Sequence, residues 1–141
     1  MAMTVHVDIV SAEREIFSGL AEMIFAPAIL GEVGIAPGHT PLLTRLGPGE
    51  VRLSLGENKH QGFYVSGGML EVQPRVVTIL SDTAQRAEDL DEAAALKAKE
   101  DAERLLSEGN AKMDYAAALS ELAEAAAQLQ TIQRLRRRMG R

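Results

Sequence analysis

Apolar and polar positions alternate along the first part of the chain. In Met3–Val10, residues Val5, Val7 and Ile9 fall on one side and His6 and Asp8 on the other, the pattern of a half-buried strand. Further short strands are predicted at Glu15–Gly19, Ala21–Ala26, Leu42–Leu46, Val51–Leu55, Gly62–Val65, Met69–Val72 and Val76–Leu80, with turn residues between them. Pro27 is expected to stop the strand before it, and Gly31–Pro41 to form a tight, shaped loop entering the strand at Leu42. So many short strands at close spacing predict an antiparallel β-sandwich or flattened barrel.

The period changes after residue 86. Residues 1–86 hold ten of the twelve glycines and all five prolines, whereas residues 87–141 hold fourteen alanines and no proline. Asp89 is the expected N-cap of a first helix, with Glu92 three residues on. Leu90, Ala94, Ala98, Ala102 and Leu105 are its expected apolar face. A turn at Ser107–Asn110 and a cap at Asp114 lead into a second helix, with Tyr115, Leu119, Leu122, Ala126 and Leu129 on one face. The expected fold is therefore α+β, an antiparallel sandwich (1–86) followed by an antiparallel two-helix hairpin (87–141). Alanine buries little apolar area, so such a hairpin docks weakly on its neighbour and is free to change conformation.

Composition narrows the function. A net charge of −5 gives no electrostatic reason to expect nucleic acid as a partner. The absence of cysteine removes disulfides and thiolate chemistry. The N-terminus has no charged segment leading into an apolar core, so no secretory leader is expected, and no run is apolar enough to span a bilayer. His6, His39 and His60 lack metal-ligand spacing, and neither a phosphate-binding Gly-Lys loop nor a Gly-x-Ser-x-Gly elbow occurs. No catalytic, metal or cofactor residue is expected. Glu32 and His39 are the polar handles of the shaped loop. Arg134, Arg136, Arg137 and Arg138 crowd the end of the second helix beyond what its dipole requires, which reads either as a solvated helix end or as the footprint of an acidic partner.

Gly31–Thr44, Tyr64–Val72 and Val77–Ala84, in this order and ahead of an alanine-rich hairpin, resemble the ε subunit of F-type ATP synthase. The resemblance covers nearly the whole chain. It implies a non-catalytic central-stalk subunit of a proton-driven bacterial synthase, peripheral on the cytoplasmic face of the inner membrane. Its implied partners are the γ subunit, the c-ring and the catalytic α and β subunits. It implies a c-ring contact at Glu32 and His39, and an inhibitory reach of the hairpin to β, which the arginine cluster suits. The resemblance also implies that many relatives carry an Ile/Leu-Asp-x-x-Arg-Ala motif at the start of the first helix and bind ATP there. Here Leu90 and Asp91 match it but Ala94 replaces its arginine, so weak or absent ATP binding is expected. Two other readings fit the residues without the resemblance: a free-standing adaptor whose hairpin binds an unrelated helix, and a small enzyme centred on His39.

Overall fold

The computed structural model describes residues 3–108 and 112–139. Ten strands come first: β1 (Val5–Ser11), β2 (Glu15–Ala21), β3 (Met23–Ala28), β4 (Gly31–Ile35), β5 (Leu42–Leu46), β6 (Gly49–Gly56), β7 (Lys59–Val65), β8 (Gly68–Val72), β9 (Val76–Ser81) and β10 (Ala84–Arg86). A short 3₁₀ turn (Ala87–Asp89) leads to α1 (Glu92–Glu108) and α2 (Lys112–Met139).

The strands pair in the order β10-β7-β6-β3-β5-β8-β9-β1-β2, with β4 joined to β3 outside that path. All pairings are antiparallel except β1 with β9, which run parallel. The two ends of the path are drawn together. Arg86 Nη2, on β10, donates to the Ile16 carbonyl of β2 at 3.1 Å, and the Phe17 and Phe63 ring centroids lie 5.4 Å apart. The sheet thus wraps into a sandwich around one core, which includes Val7, Ile9, Ile24, Ile35, Leu53, Phe63, Leu70 and Ile79, all fully buried. Alternation along β1 is as the sequence predicts: Val5, Val7 and Ile9 point inward.

Three turns show how local chemistry sets the register. Glu57 and Asn58 both have positive φ (52° and 63°), the conformation that a tight hairpin between β6 and β7 requires. Gly68 opens β8 at φ +131°, where a Cβ would stand 1.9 Å from the Leu80 carbonyl oxygen, so only glycine fits. Pro27, expected to end its strand, lies inside β3. It falls between Met23–Phe25, which pair with β6, and Ala28, which pairs with β5, so the N–H it lacks is missing at the switch between partners.

The segment expected as one loop is also divided. Gly31–Ile35 is a strand antiparallel to β3, with Ile24 opposite Ile35 and Ala28 opposite Gly31. Only residues 36–41 make the turn, tied down by bonds from Gly38 N to the Pro74 carbonyl (3.0 Å) and from His39 N to the Ala36 carbonyl (3.1 Å).

In the hairpin, the N-cap is Asp91 rather than Asp89: Ala94 N donates to Asp91 Oδ1 at 3.1 Å, while Asp89 belongs to the 3₁₀ turn. α2 is already running at Lys112, which puts Asp114 inside the first turn instead of capping it. Gly109 and Asn110 of the expected turn lie outside the described residues. The buried faces are also rotated from those expected. On α1 the buried residues are Ala95 and Ala102, while Ala94, Ala98 and Leu105 are exposed. On α2 the buried line runs through Ala118, Ala125 and Ile132, with Leu122 and Leu129 partly buried along it, and Tyr115, Leu119 and Ala126 are exposed. Spacings of three, four and seven keep that line on one side of the helix.

Candidate functional site: the junction of sandwich and hairpin

α2 lies across β6 and β7, and α1 packs on α2. Charge is concentrated where the end of α2 meets the sheet. Glu50, the second residue of β6, is covered so completely that its side chain is 1% exposed. A carboxylate taken out of water this far needs compensating partners. It has two: Arg134 Nη1 donates to Oε1 at 3.4 Å, and Arg138 Nη2 to Oε2 at 3.1 Å. The arginines are four residues apart, so one turn of helix sets both guanidinium groups on the face that meets β6. Room for them comes from Gly62 on β7, where a Cβ would stand 2.5 Å from Glu50 Oε2 and 2.8 Å from Arg138 Nη2.

The other arginines have different surroundings. Arg136 pairs with Glu92 in the first turn of α1, which ties the two free ends of the hairpin together. Arg137 makes no ion pair among the described residues; with Arg52, Arg134 and Arg138 it lines a cavity of about 320 Å³ beside the junction. Arg52, on β6, donates to Glu32 Oε1 at 2.6 Å and lies 4.8 Å over the Phe25 ring.

Tyr64, on β7, is 2% exposed. Among the described residues its hydroxyl has no hydrogen-bond partner of ordinary geometry. Burial, first, and the nearby Glu124 carboxylate, second, push its pKa up to about 12, against a smaller opposing contribution from Gln128.

Glu32 and His39 are not brought together. Glu32 stands near the start of β4 and is held by Arg52, whereas His39 lies beyond the end of β4 with Nδ1 2.7 Å from the Thr40 carbonyl. The intervening strand rises about 3.4 Å per residue, so they belong to two patches rather than one loop. Of the motif near α1, Leu90 closes the 3₁₀ turn, Asp91 is engaged as the helix cap, and Ala94 is exposed.

A serine, a histidine and an aspartate do meet elsewhere. Ser18 Oγ donates to Asp8 Oδ1 at 2.7 Å, and His6 Nε2 lies 3.0 Å from the same carboxylate oxygen and 3.2 Å from Ser18 Oγ. One ring nitrogen faces both partners and the hydroxyl proton goes to the aspartate, so this is not the relay of a nucleophilic triad. The Ser18 hydrogen bond, chiefly, and His6 hold the Asp8 carboxyl below its ordinary pKa, against a contribution from desolvation.

Glu50 and Gly62 were not singled out in the sequence. In the pattern of β6, Glu50 sits outside the inward-facing Val51 and Leu53, where a charged residue reads as solvated; its burial is created by residues 84 and 88 positions away.

The comparisons with known proteins agree along both parts of the chain. The model of the ATP synthase delta/epsilon chain beta-sandwich domain matches residues 4–87, and that of the delta/epsilon chain long alpha-helix domain matches residues 88–133. The chain belongs to the ATP synthase epsilon family. It is 67% identical over 140 residues to the ATP synthase epsilon chain of Nitrosococcus oceani, covering 99% of this chain and 100% of that one. Like other epsilon chains it is a subunit of the synthase and not the catalytic one. Two solved structures share the fold. A chain in the Euglena gracilis mitochondrial ATP synthase (OSCP/F1/c-ring, rotational state 1) superposes with a TM-score of 0.71 at 20% identity, over 96% of this chain and 81% of that one. A chain in the Tetrahymena thermophila mitochondrial ATP synthase central stalk and c-ring gives 0.63 at 13% identity, over 92% and 97%. Among the described residues of this epsilon chain, no helix is long and apolar enough to cross a membrane.

Proposed function

We propose that the sandwich is a rigid adaptor in the central stalk, holding the γ subunit to the c-ring, and that the hairpin is a mobile brake on ATP hydrolysis. The subunit would lie at the cytoplasmic face of the bacterial inner membrane, attached through the complex. The observation that carries the regulatory half is how the hairpin distributes its apolar residues. It turns mainly alanines toward its neighbours, with Ile132 and the half-buried Leu122 and Leu129, and leaves Leu96, Leu105, Tyr115 and Leu119 exposed. A helix pair docked through small residues gains little from docking, while its outward leucines and tyrosine offer a second surface to another partner. In the extended state that partner would be the catalytic α and β subunits, and Arg134, Arg136, Arg137 and Arg138, released from Glu50 and Glu92, would meet an acidic segment of β.

The adaptor half draws support from the β3–β4 turn. Leu30 is 96% exposed there, beside Glu32, which suits a contact with the polar loops of the c-ring. His39 would supply a separate contact from the 36–41 turn.

The test is reconstitution. The cognate catalytic head lacking this subunit is mixed with the full-length chain or with a chain ending at Arg86. Inhibition of hydrolysis by the full-length chain alone is the expected result. Binding of both without inhibition by either would overturn the brake, and binding of neither would overturn the adaptor.

A further inference from the structure

The arginine cluster has an internal acidic partner, and its construction is specific. We infer that Glu50, Arg134, Arg138 and Gly62 form a latch that sets how readily the hairpin leaves the sandwich. Three observations converge on this. The Glu50 side chain is 1% exposed although it carries a charge, and the end of α2 is what covers it. Each of its two oxygens is taken by a different arginine, one helical turn apart. The neighbouring strand carries a glycine, Gly62, where a Cβ would crowd both Glu50 Oε2 and Arg138 Nη2.

Undocking breaks both ion pairs but returns Glu50 and the arginines to water, so the two states are separated by a modest free energy and not by the cost of an orphaned buried charge. That balance suits a switch. Removing only one partner has a different effect. An arginine lost from the docked state leaves Glu50 buried with half its compensation, and a neutral residue at 50 leaves two guanidinium groups facing a site with no charge. Either change favours the undocked state. The latch also makes docking and a β contact exclusive, because both use Arg134 and Arg138; that consequence rests on the braking role proposed above, whereas the latch rests only on the mobility of the hairpin.

The chain has no cysteine, so a single introduced thiol reports without interference. Ala127 is buried on α2 and lines a cavity together with Pro48 of the β5–β6 turn, which makes Ala127→Cys a probe protected by docking. Its labelling rate in the otherwise intact, isolated chain follows the undocked fraction. In this background Glu50→Gln and Arg138→Ala should each raise the rate on the order of tenfold. Their combination should raise it by less than the product of the two, because both act on one contact. Arg138 lies near the exposed end of α2, so its replacement leaves the sandwich folded. Rates within twofold of the parent in both single variants would overturn the latch. Because no catalytic head is present, that outcome would leave the braking role to be judged by reconstitution alone.

Discussion

Gly62 on β7 and Glu50 on β6 share one space: the carboxylate oxygen of Glu50 lies 2.5 Å from where the first carbon of any side chain at 62 would be. The strand geometry there is ordinary, since Gly62 is not among the residues with positive φ. Alanine at 62 therefore suits the backbone and conflicts only with the latch. Gly62→Ala should leave the sandwich folded, judged by unchanged amide protection in β1 and β9. It should accelerate labelling of the Ala127→Cys probe by less than removal of Arg138 does, because the crowded Glu50 and Arg138 atoms are side-chain ends that can shift.

Gly68 is a contrasting case. Its positive φ and the 1.9 Å approach to the Leu80 carbonyl mean that a Cβ forces the β8–β9 pairing apart. Gly68→Ala should cost more than about 3 kcal/mol of global stability, measured by urea unfolding. The same substitution at Gly47, where a Cβ meets nothing within 4 Å and φ is not positive, should change stability by less than about 1 kcal/mol.

The cap of α1 distinguishes two neighbouring aspartates. Asp91→Ala removes the acceptor of the Ala94 N–H and should destabilise the start of α1 by about 1 kcal/mol. Asp89→Ala should stay within about 0.5 kcal/mol of the parent. Amide exchange in the first turn of α1 would report both.

Tyr64 predicts a pH dependence. Its pKa is raised from 10.0 to about 12, so the folded protein favours the protonated phenol more than the unfolded chain does. The sign follows by linkage. The contribution is fully present below pH 10, falls as the unfolded chain loses its proton, and is gone above about pH 12. Urea midpoints should therefore decline across that window, with a loss on the order of 1 kcal/mol in stability by its upper end once solvent screening is allowed for. Tyr64→Phe should flatten this part of the profile. Equal declines in the two proteins would assign the loss to other groups.

Much of the sandwich was legible in the sequence because its strands carry large residues in strict alternation, as Val5, Val7 and Ile9 do. The β3–β4 pair was hidden by two signals that normally interrupt strands. Pro27 is tolerated where β3 changes partners, and the glycines of Gly31–Ile35 resemble a loop. The hairpin faces were misplaced for a different reason. Leu105, Tyr115 and Leu119 dominate any reading of apolar spacing, yet the packed line is made mostly by Ala95, Ala102, Ala118 and Ala125, which carry almost no hydrophobic signal, with Leu122, Leu129 and Ile132 as its larger members. At the junction, the arginine cluster could be seen, and so could its need for an acid. Which acid could not, because Glu50 becomes buried only when α2, more than eighty residues on, is laid over it.

The hairpin should inhibit only when it leaves the sandwich. That is tested most directly by holding it down. Pro48 and Gln130 line one cavity between the β5–β6 turn and α2, so cysteines at these two positions can be joined by a short, cleavable thiol cross-linker. The cross-linked chain is added to the cognate catalytic head and ATP hydrolysis is followed before and after reductive cleavage. The joined chain should bind without inhibiting, and cleavage should restore inhibition. Equal inhibition in the joined and cleaved states would contradict this.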